Sequence, residues 1–484
     1  MEKIKILLNQ YKGMSEPVKA SIWYTICNIF QKGISFIVIP IYTRVLTTAE
    51  YGNYMVFQSW RDIIIIFATL NLYCGVFTKA MVDYDDDRDQ YTAAIQGLST
   101  TITLVLLGVY LIGHNFWNSL FEMSTYTIFL LFVYYITYPA FTFWTVRQRV
   151  EYKYKRMVAF TLLSAVLTPI FSLLLLYNTN LRELSVIWGY LIVQITFGLA
   201  FYIYNFIKGR VFFVSYYWHR ALKFNIPLIP HYLSLIVLGQ ADRIMIGEMC
   251  GTSKTAIYSL AYQVSMLMNV VIAAINNSLV PWIYDKLKSK CYNEICKKTK
   301  IISFFVLSMS ICSILIAPEI VKILGTDEYI EAIWIIPAVS VSVYFTFCYG
   351  LFSDVEFYYS ATKYVMIAST IGAVLNVLLN ALFIPRFGYT AAGYTTVVCY
   401  LTFMIMHYFF MRKVLEKEKN NARVFDVKFI IFSCLLICII SIGCMVLYKT
   451  FYLRYGIILC ILIIILALKN KLLDFISKFK EDQL

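Results

Sequence analysis

Lys32 and Arg61 are the residues best placed to do chemistry, because each interrupts an apolar stretch in which a charge is costly. Within 20–42, Thr25, Asn28, Gln31, Lys32 and Ser35 recur at offsets of three and four, which stack on one face of a helix. Within 51–77 the polar residues are Gln58, Arg61 and Asp62. Lys32 lies roughly 18 Å along its helix from Ala20, and Arg61 roughly 15 Å from Tyr51, at about 1.5 Å per residue. The two stretches enter a hydrocarbon layer about 30 Å thick from opposite sides, so both cations fall near its middle. A charge there costs roughly 2.5–3.5 kcal/mol on the insertion scale and is kept where it is paired, hydrated or used. Two arrangements satisfy that condition. Lys32 and Arg61, with Asn28 and Gln31, line a cavity and compensate an anion, or Lys32 pairs with Asp62 and ties two helices together. Adjacent helical residues diverge by about 100°, so Arg61 and Asp62 are not expected to face Lys32 together.

A second polar group lies in 221–247, KFNIPLIPHYLSLIVLGQADRIMIG from Lys223 onward. Pro227 and Pro230 each remove a helix hydrogen bond, so a kink or broken turn is expected there. His231 falls roughly 15 Å in, near the midplane. It is a candidate for the central cavity and for taking up a proton, or a histidine hydrogen-bonded inside the kink. Asp242 and Arg243 sit nearer the far end; with Asp62 they are candidates for gating or lobe contact, or the two form a local ion pair.

The elements that position these residues are membrane helices. Of 484 residues 60% are hydrophobic and only 14% charged, against about 25% charged in an ordinary soluble domain. Fourteen spans are expected, at 20–42, 51–77, 91–113, 124–146, 157–177, 184–207, 221–247, 255–283, 299–317, 331–353, 364–384, 391–411, 428–448 and 453–468. Most of the 42 Lys and Arg residues fall in the amino-terminal segment, every second connection and the carboxy-terminal tail. That asymmetry puts both termini in the cytoplasm and explains the net charge of +14 without nucleic acid.

Segment 1–19 reads as a cytoplasmic interfacial helix rather than a removed signal. Spans one to six (20–207) and seven to twelve (221–412) form two six-helix lobes joined by the cytoplasmic loop 208–220. A hydrophilic linker, 413–427, leads to a last helix pair, 428–468, and a cytoplasmic tail, 469–484. TTAEYGNY (47–54) and TSKTAIYS (252–259) open the second and eighth spans alike, a weak internal duplication that places a site between the lobes. The fold class is therefore an all-α integral membrane protein with two pseudo-symmetric lobes and a terminal pair. Most of the 12 cysteines sit in apolar runs and behave as small hydrophobes, and no metal-ligand spacing occurs. The acidic run 83–89 reads as a solvated loop or a cation site, and Asn376 and Asn380 as sugar contacts or interhelical glue.

Four pieces occurring in order resemble a known family: IPIYTRVLTTAEYGNY (39–54), NIPLIPHYLSLIVLGQADRIMIG (225–247), AIYSLAYQV (256–264) and NALFIPRFGYTAAGYTTV (380–397). The chain resembles the polysaccharide, or O-antigen, flippases of the multidrug/oligosaccharidyl-lipid/polysaccharide (MOP) exporter superfamily. Arg44, Tyr51, Gly52, Pro227, Asp242, Arg243, Asn380, Pro385 and Gly388 fit its patterns. The resemblance implies a non-enzymatic two-lobed transporter in a bacterial cytoplasmic membrane. It would move a polyprenyl-pyrophosphate-linked oligosaccharide to the outer leaflet by alternating access, with the last two spans grooving the lipid tail. Membrane lipids, a polysaccharide polymerase and glycosyltransferases are the implied partners. No cofactor is implied, and an ion gradient or the membrane potential would drive transport.

Three other functions are weighed against this one. A cation-coupled drug or toxin exporter favours an intramembrane acid, whereas the first span carries lysine and no acid. A lipid II-type flippase shares the superfamily. A polyprenyl-dependent glycosyltransferase needs an acid-bearing outer loop, and the first one, TRVLTTAE, holds Glu50 alone. No phosphate-binding P-loop occurs.

Overall fold

The computed structural model describes residues 11, 13–418, 423–450 and 452–459. Its described secondary structure is helical throughout, and twelve helices are long and apolar enough to cross a membrane. Of the spans expected from sequence, the twelve leave out the second and the fourteenth. The fourteenth lies mostly outside the described residues, as do the tail and most of the amino-terminal segment.

The helices used below are α1 (Glu16–Val45), α2 (Thr48–Thr69), α3 (Gly75–Asp83), α4 (Arg88–Ile112), α5 (His114–Phe121), α6 (Thr125–Val150), α7 (Tyr154–Asn178) and α8 (Glu183–Gly209). They continue as α9 (Ser215–Asn225), α10 (Ile229–Cys250), α11 (Thr252–Lys288), α12 (Tyr292–Leu315), α13 (Ala317–Leu324), α14 (Ile336–Tyr358), α15 (Thr362–Phe387), α16 (Thr390–Lys417) and α17 (Val427–Leu447).

Local chemistry sets the helix ends around the site. Thr47 and Glu50 form a capping box: Thr47 Oγ1 accepts from the Glu50 N–H at 3.3 Å, and Glu50 Oε2 accepts from the Thr47 N–H at 2.8 Å. The second span does not run on to Phe77 as one helix. α2 stops at Thr69, because Leu70 and Asn71 both take left-handed backbone, φ 48° and 49°. Asn225 Nδ2 donates to the Leu70 carbonyl, satisfying an acceptor that the broken helix leaves open. The kink expected from Pro227 is a short 3-10 turn, Ile226–Leu228, between α9 and α10.

Small residues bring the helices together, as is usual where lipid removes the hydrophobic drive to associate. A Cβ on Gly198 of α8 would lie 2.7 Å from the Thr137 backbone of α6. A Cβ on Gly52 of α2 would fall inside the Thr252 carbonyl at the start of α11. One buried cluster, including Tyr51, Ile66, Tyr135, Tyr258 and Tyr329, joins residues from both halves of the chain. Another, including Ile283, Tyr344 and Phe352, packs α11, α12 and α14 against α16 and α17. Large apolar side chains such as Ile37, Val105, Phe304 and Ile439 stay exposed, the surface a lipid layer covers. The protein is a multi-pass membrane protein, and its described cysteines are free thiols.

Candidate functional site

The polar stripes of α1 and α2 face a common cavity of about 640 Å³. Gln31, Lys32, Ser35 and Tyr42 line it from α1, and Tyr51, Tyr54, Gln58, Arg61 and Asp62 from α2. Both sets follow helical spacing; of the face predicted from offsets of three and four, Gln31, Lys32 and Ser35 line the cavity, and Thr25 and Asn28 do not. Tyr138, Thr142, Thr145 and Arg149 of α6 form another such stripe. Ser164 and Thr168 of α7, Tyr190 and Gln194 of α8, Gln240 of α10 and Gln263 of α11 complete the polar wall.

Arg61 does not reach Lys32 or stand alone. Its Nε and Nη2 donate to Asp62 Oδ1 at 2.9 and 2.7 Å, and its guanidinium lies 4.7 Å from the Tyr190 ring centre. The Lys32–Asp62 pair considered from sequence is therefore absent, since Asp62 is taken by its own neighbour. The other carboxylate oxygen, Oδ2, accepts from Gln240 Nε2 at 3.2 Å. Gln240 Oε1 in turn accepts from Arg243 Nη1 at 3.0 Å and from Ser59 Oγ at 3.2 Å. A single polar chain thus runs from Tyr190 through Arg61, Asp62 and Gln240 to Arg243, which lies 4.8 Å from the Tyr262 ring centre. Among the described residues neither Lys32 nor Arg149 forms an ion pair; Arg149 lies 5.8 Å from the Tyr24 ring centre.

The remaining sequence candidates lie elsewhere. Asn28 is exposed and outside the cavity lining. His231 also lies outside it, half-buried, with Nδ1 2.9 Å from Ser369 Oγ, which is the hydrogen-bonded alternative. Asp242 is buried and does not bond to Arg243. It accepts from Tyr258 Oη, from Asn380 Nδ2 at 2.6 Å and from Thr396 Oγ1 at 3.0 Å, fastening α10 to α11, α15 and α16. Asn380 and Asn376 belong to that cluster rather than to the cavity. In the acidic run, Asp83 pairs with Arg220, Asp85 with Arg88 and Asp89 with Arg147.

One end of the cavity is closed. Thr43 Oγ1 donates to the Leu324 carbonyl at 2.6 Å and Arg44 Nη2 to the Ile323 carbonyl at 3.1 Å. Glu50 accepts from Arg182 at 2.7 and 2.9 Å, and the Tyr51 and Tyr329 rings meet with centres 6.3 Å apart. Tyr42 and Tyr54, centres 6.0 Å apart, form the floor of the cavity beneath this seal.

Arg149, Gln240 and Gln194 were not singled out from sequence. Arg149 stood among the loop cations, although the spacing Tyr138, Thr142, Thr145, Arg149 places it on a polar helical face. Gln240 lies three residues before Arg243, a neighbour on the same face.

The chain matches the model of the family described as polysaccharide biosynthesis protein over residues 18–287, and the MatE model over residues 227–382. It is 22% identical over 411 residues to an Lsg locus protein of Haemophilus influenzae, covering 82% of this chain and 98% of that one. It is also 22% identical over 367 residues to an uncharacterized membrane protein of the same species, covering 74% and 88%. A lipid II flippase in an inward closed conformation shares the fold, with a TM-score of 0.63 and 15% identity over 93% of this chain and 100% of that one. A MOP superfamily transporter from Pyrococcus furiosus, described as having a binding pocket of reverse polarity, aligns with a TM-score of 0.58 and 14% identity over 84% and 98%. The two solved structures are described as a flippase and a transporter. The chain belongs to the polysaccharide biosynthesis protein family, the polysaccharide flippases of the MOP exporter superfamily.

Proposed function

We propose that the protein carries a polyprenyl-pyrophosphate-linked oligosaccharide from the cytoplasmic to the outer leaflet of a bacterial cytoplasmic membrane, by alternating access between two six-helix lobes. The observation that carries this reading is the charge of the cavity: Lys32, Arg61 and Arg149 line it against the single carboxylate of Asp62. Charges in such a partly dehydrated space interact several times more strongly than in water, which suits a phosphorylated head group. The amide, hydroxyl and tyrosine wall offers donors, acceptors and ring faces for sugars, and about 640 Å³ falls in the usual range for ligand sites.

The distribution of Lys and Arg supports cytoplasmic termini, so the sealed end at Thr43–Tyr51 would face outward and the Lys32–Arg149 end the cytoplasm. A cationic drug would want a free acid in the cavity, but Asp62 is held by Arg61 and Gln240. The fold shared with a lipid II flippase supports a lipid-linked substrate. An ion gradient or the membrane potential would supply the drive, and a polymerase and glycosyltransferases would work on either side of the step.

Arg61→Gln and Lys32→Gln test this. Each protein is reconstituted in vesicles, and translocation of a short-chain polyprenyl-pyrophosphate oligosaccharide is measured. At least a tenfold loss is expected, about 1.4 kcal/mol, with insertion and thermal stability retained. Unchanged translocation in both variants would overturn the reading.

A further inference from the structure

The charges of the cavity are not equivalent. Arg61 carries its counter-ion within the protein, because Asp62 accepts two of its hydrogen bonds at 2.9 and 2.7 Å. Arg243 does not line the cavity, and its Nη1 donates to the Gly239 carbonyl at 2.7 Å and to Gln240 Oε1 at 3.0 Å. Lys32 and Arg149 have no such partner among the described residues.

Their depths follow from helix geometry. Arg149 touches Tyr24, eight residues before Lys32, hence about 12 Å nearer the amino-terminal end of α1. The Tyr42–Tyr54 contact fixes the register of the antiparallel α1 and α2. Arg61, seven residues beyond Tyr54, then lies level with Ser35, about one turn deeper than Lys32. From the open end the order is Arg149, Lys32, then the internally neutral Arg61–Asp62 pair. Beyond that pair the polar lining is Tyr42, Tyr51, Tyr54 and Gln58, with no charged side chain among the described residues.

A pyrophosphate esterified at both ends keeps one ionised oxygen on each phosphorus. The section holding Lys32 and Arg149 carries the net positive charge that balances those two oxygens, and the sugars, attached beyond them, reach a section that provides only hydrogen bonds and ring faces. A carboxylate or sulfate on the glycan would be dehydrated there without a cation to receive it. We infer that this cavity takes an uncharged glycan, the phosphoryl oxygens of the carrier being the only anions it is built to compensate. This inference rests on the transport reading above and narrows its substrate class.

The full-length protein in lipid nanodiscs is titrated with three probes: a short-chain polyprenyl pyrophosphate bearing a neutral disaccharide, the same lipid bearing a glucuronic-acid disaccharide, and the sugar-free polyprenyl pyrophosphate. The neutral glycolipid is expected to bind about tenfold more tightly than the uronate, about 1.4 kcal/mol. Uronate binding that equals or exceeds it overturns the inference while leaving the transport reading in place. Failure of all three probes overturns both. In Asp62→Asn, Arg61 loses its internal counter-ion, and the ratio of the two glycolipid affinities should shrink toward one or invert. A variant that weakens both ligands equally, with the ratio unchanged, also overturns the inference.

Discussion

Gln240 of α10 bridges Asp62 of α2 and the Arg243 guanidinium, donating to the first at 3.2 Å and accepting from the second at 3.0 Å. The bridge crosses between the two halves of the chain beside the cavity, so the Arg61 charge site is held in part by a residue 179 positions away. Replacing Gln240 with Leu leaves Asp62 Oδ2 and Arg243 Nη1 each short of a partner. An unsatisfied buried polar group costs about 1–3 kcal/mol. Gln240→Leu should lower thermal stability in detergent, and a double-mutant cycle with Asp62→Asn should return a coupling of about 0.5–3 kcal/mol. Additive effects would show that the bridge contributes nothing.

Arg149 stands at the open end of the cavity, where capture rather than passage is at stake. Its replacement by Gln should raise the apparent KM for the lipid-linked substrate and leave the maximal rate nearly intact. That is the signature of a contact made equally before and during the limiting step. Arg61→Gln, deeper in, should instead depress the maximal rate. Transport assays across substrate concentration in vesicles separate the two, and a pure rate effect in Arg149→Gln would contradict its place at the entrance.

Hydropathy and spacing made most of this molecule legible. Eleven of the twelve apolar helices match expected spans with ends shifted by up to seven residues, and the sixth, which is the seventh expected span, also takes in the short helix Ser215–Asn225 ahead of its kink. The polar face at Gln31, Lys32 and Ser35 could be read because offsets of three and four fix where Cβ atoms point. The Arg61–Asp62 pair could not. The 100° divergence holds for Cβ directions, but an arginine chain is long enough to fold back onto the next residue. The end of α2 at Thr69 was hidden as well: no Gly or Pro lies within 70–74, and the stabilising hydrogen bond comes from Asn225, 155 residues away. Arg149 was obscured by an argument that works for orientation, which assigns a cation at a helix end to the loop.

The turn that carries Arg149 depends on pH through Glu151, which caps α6 outside the membrane-spanning residues. Burial by itself pushes the Glu151 carboxyl up, but hydrogen bonds from Arg147 at 2.7 Å and Lys153 at 2.6 Å outweigh it and hold the group below the usual carboxylate range. A depressed carboxyl stabilises the fold fully above its unfolded value, about 4.3, and the contribution is lost as pH falls through the lower folded value. Hydrogen-exchange protection factors at residues 147–156, taken relative to the intrinsic rate at each pH, should therefore fall on acidification below that range. Glu151→Gln should exchange faster at neutral pH and lose the acid step; an unaltered step would place its origin elsewhere.

The closed end of the cavity turns on Gly52. Any side chain there would overlap the Thr252 carbonyl, where the starts of α2 and α11 meet, and backbone cannot yield as a flexible side chain can. Gly52→Ala therefore penalises the sealed state in which Thr43 and Arg44 bond to the Leu324 and Ile323 carbonyls. A state in which the two helix starts separate loses nothing, so the population should move toward opening at that end. A cysteine at Tyr54, on the cavity floor beneath the seal, reports the change. In cells, labelling of Tyr54→Cys by a membrane-impermeant maleimide added outside should rise several-fold when Gly52→Ala is introduced. Net transport should fall, because a carrier held open on one side cycles poorly. Labelling that stays low while transport falls would mean that the glycine supports folding of the helix pair rather than closure of the gate.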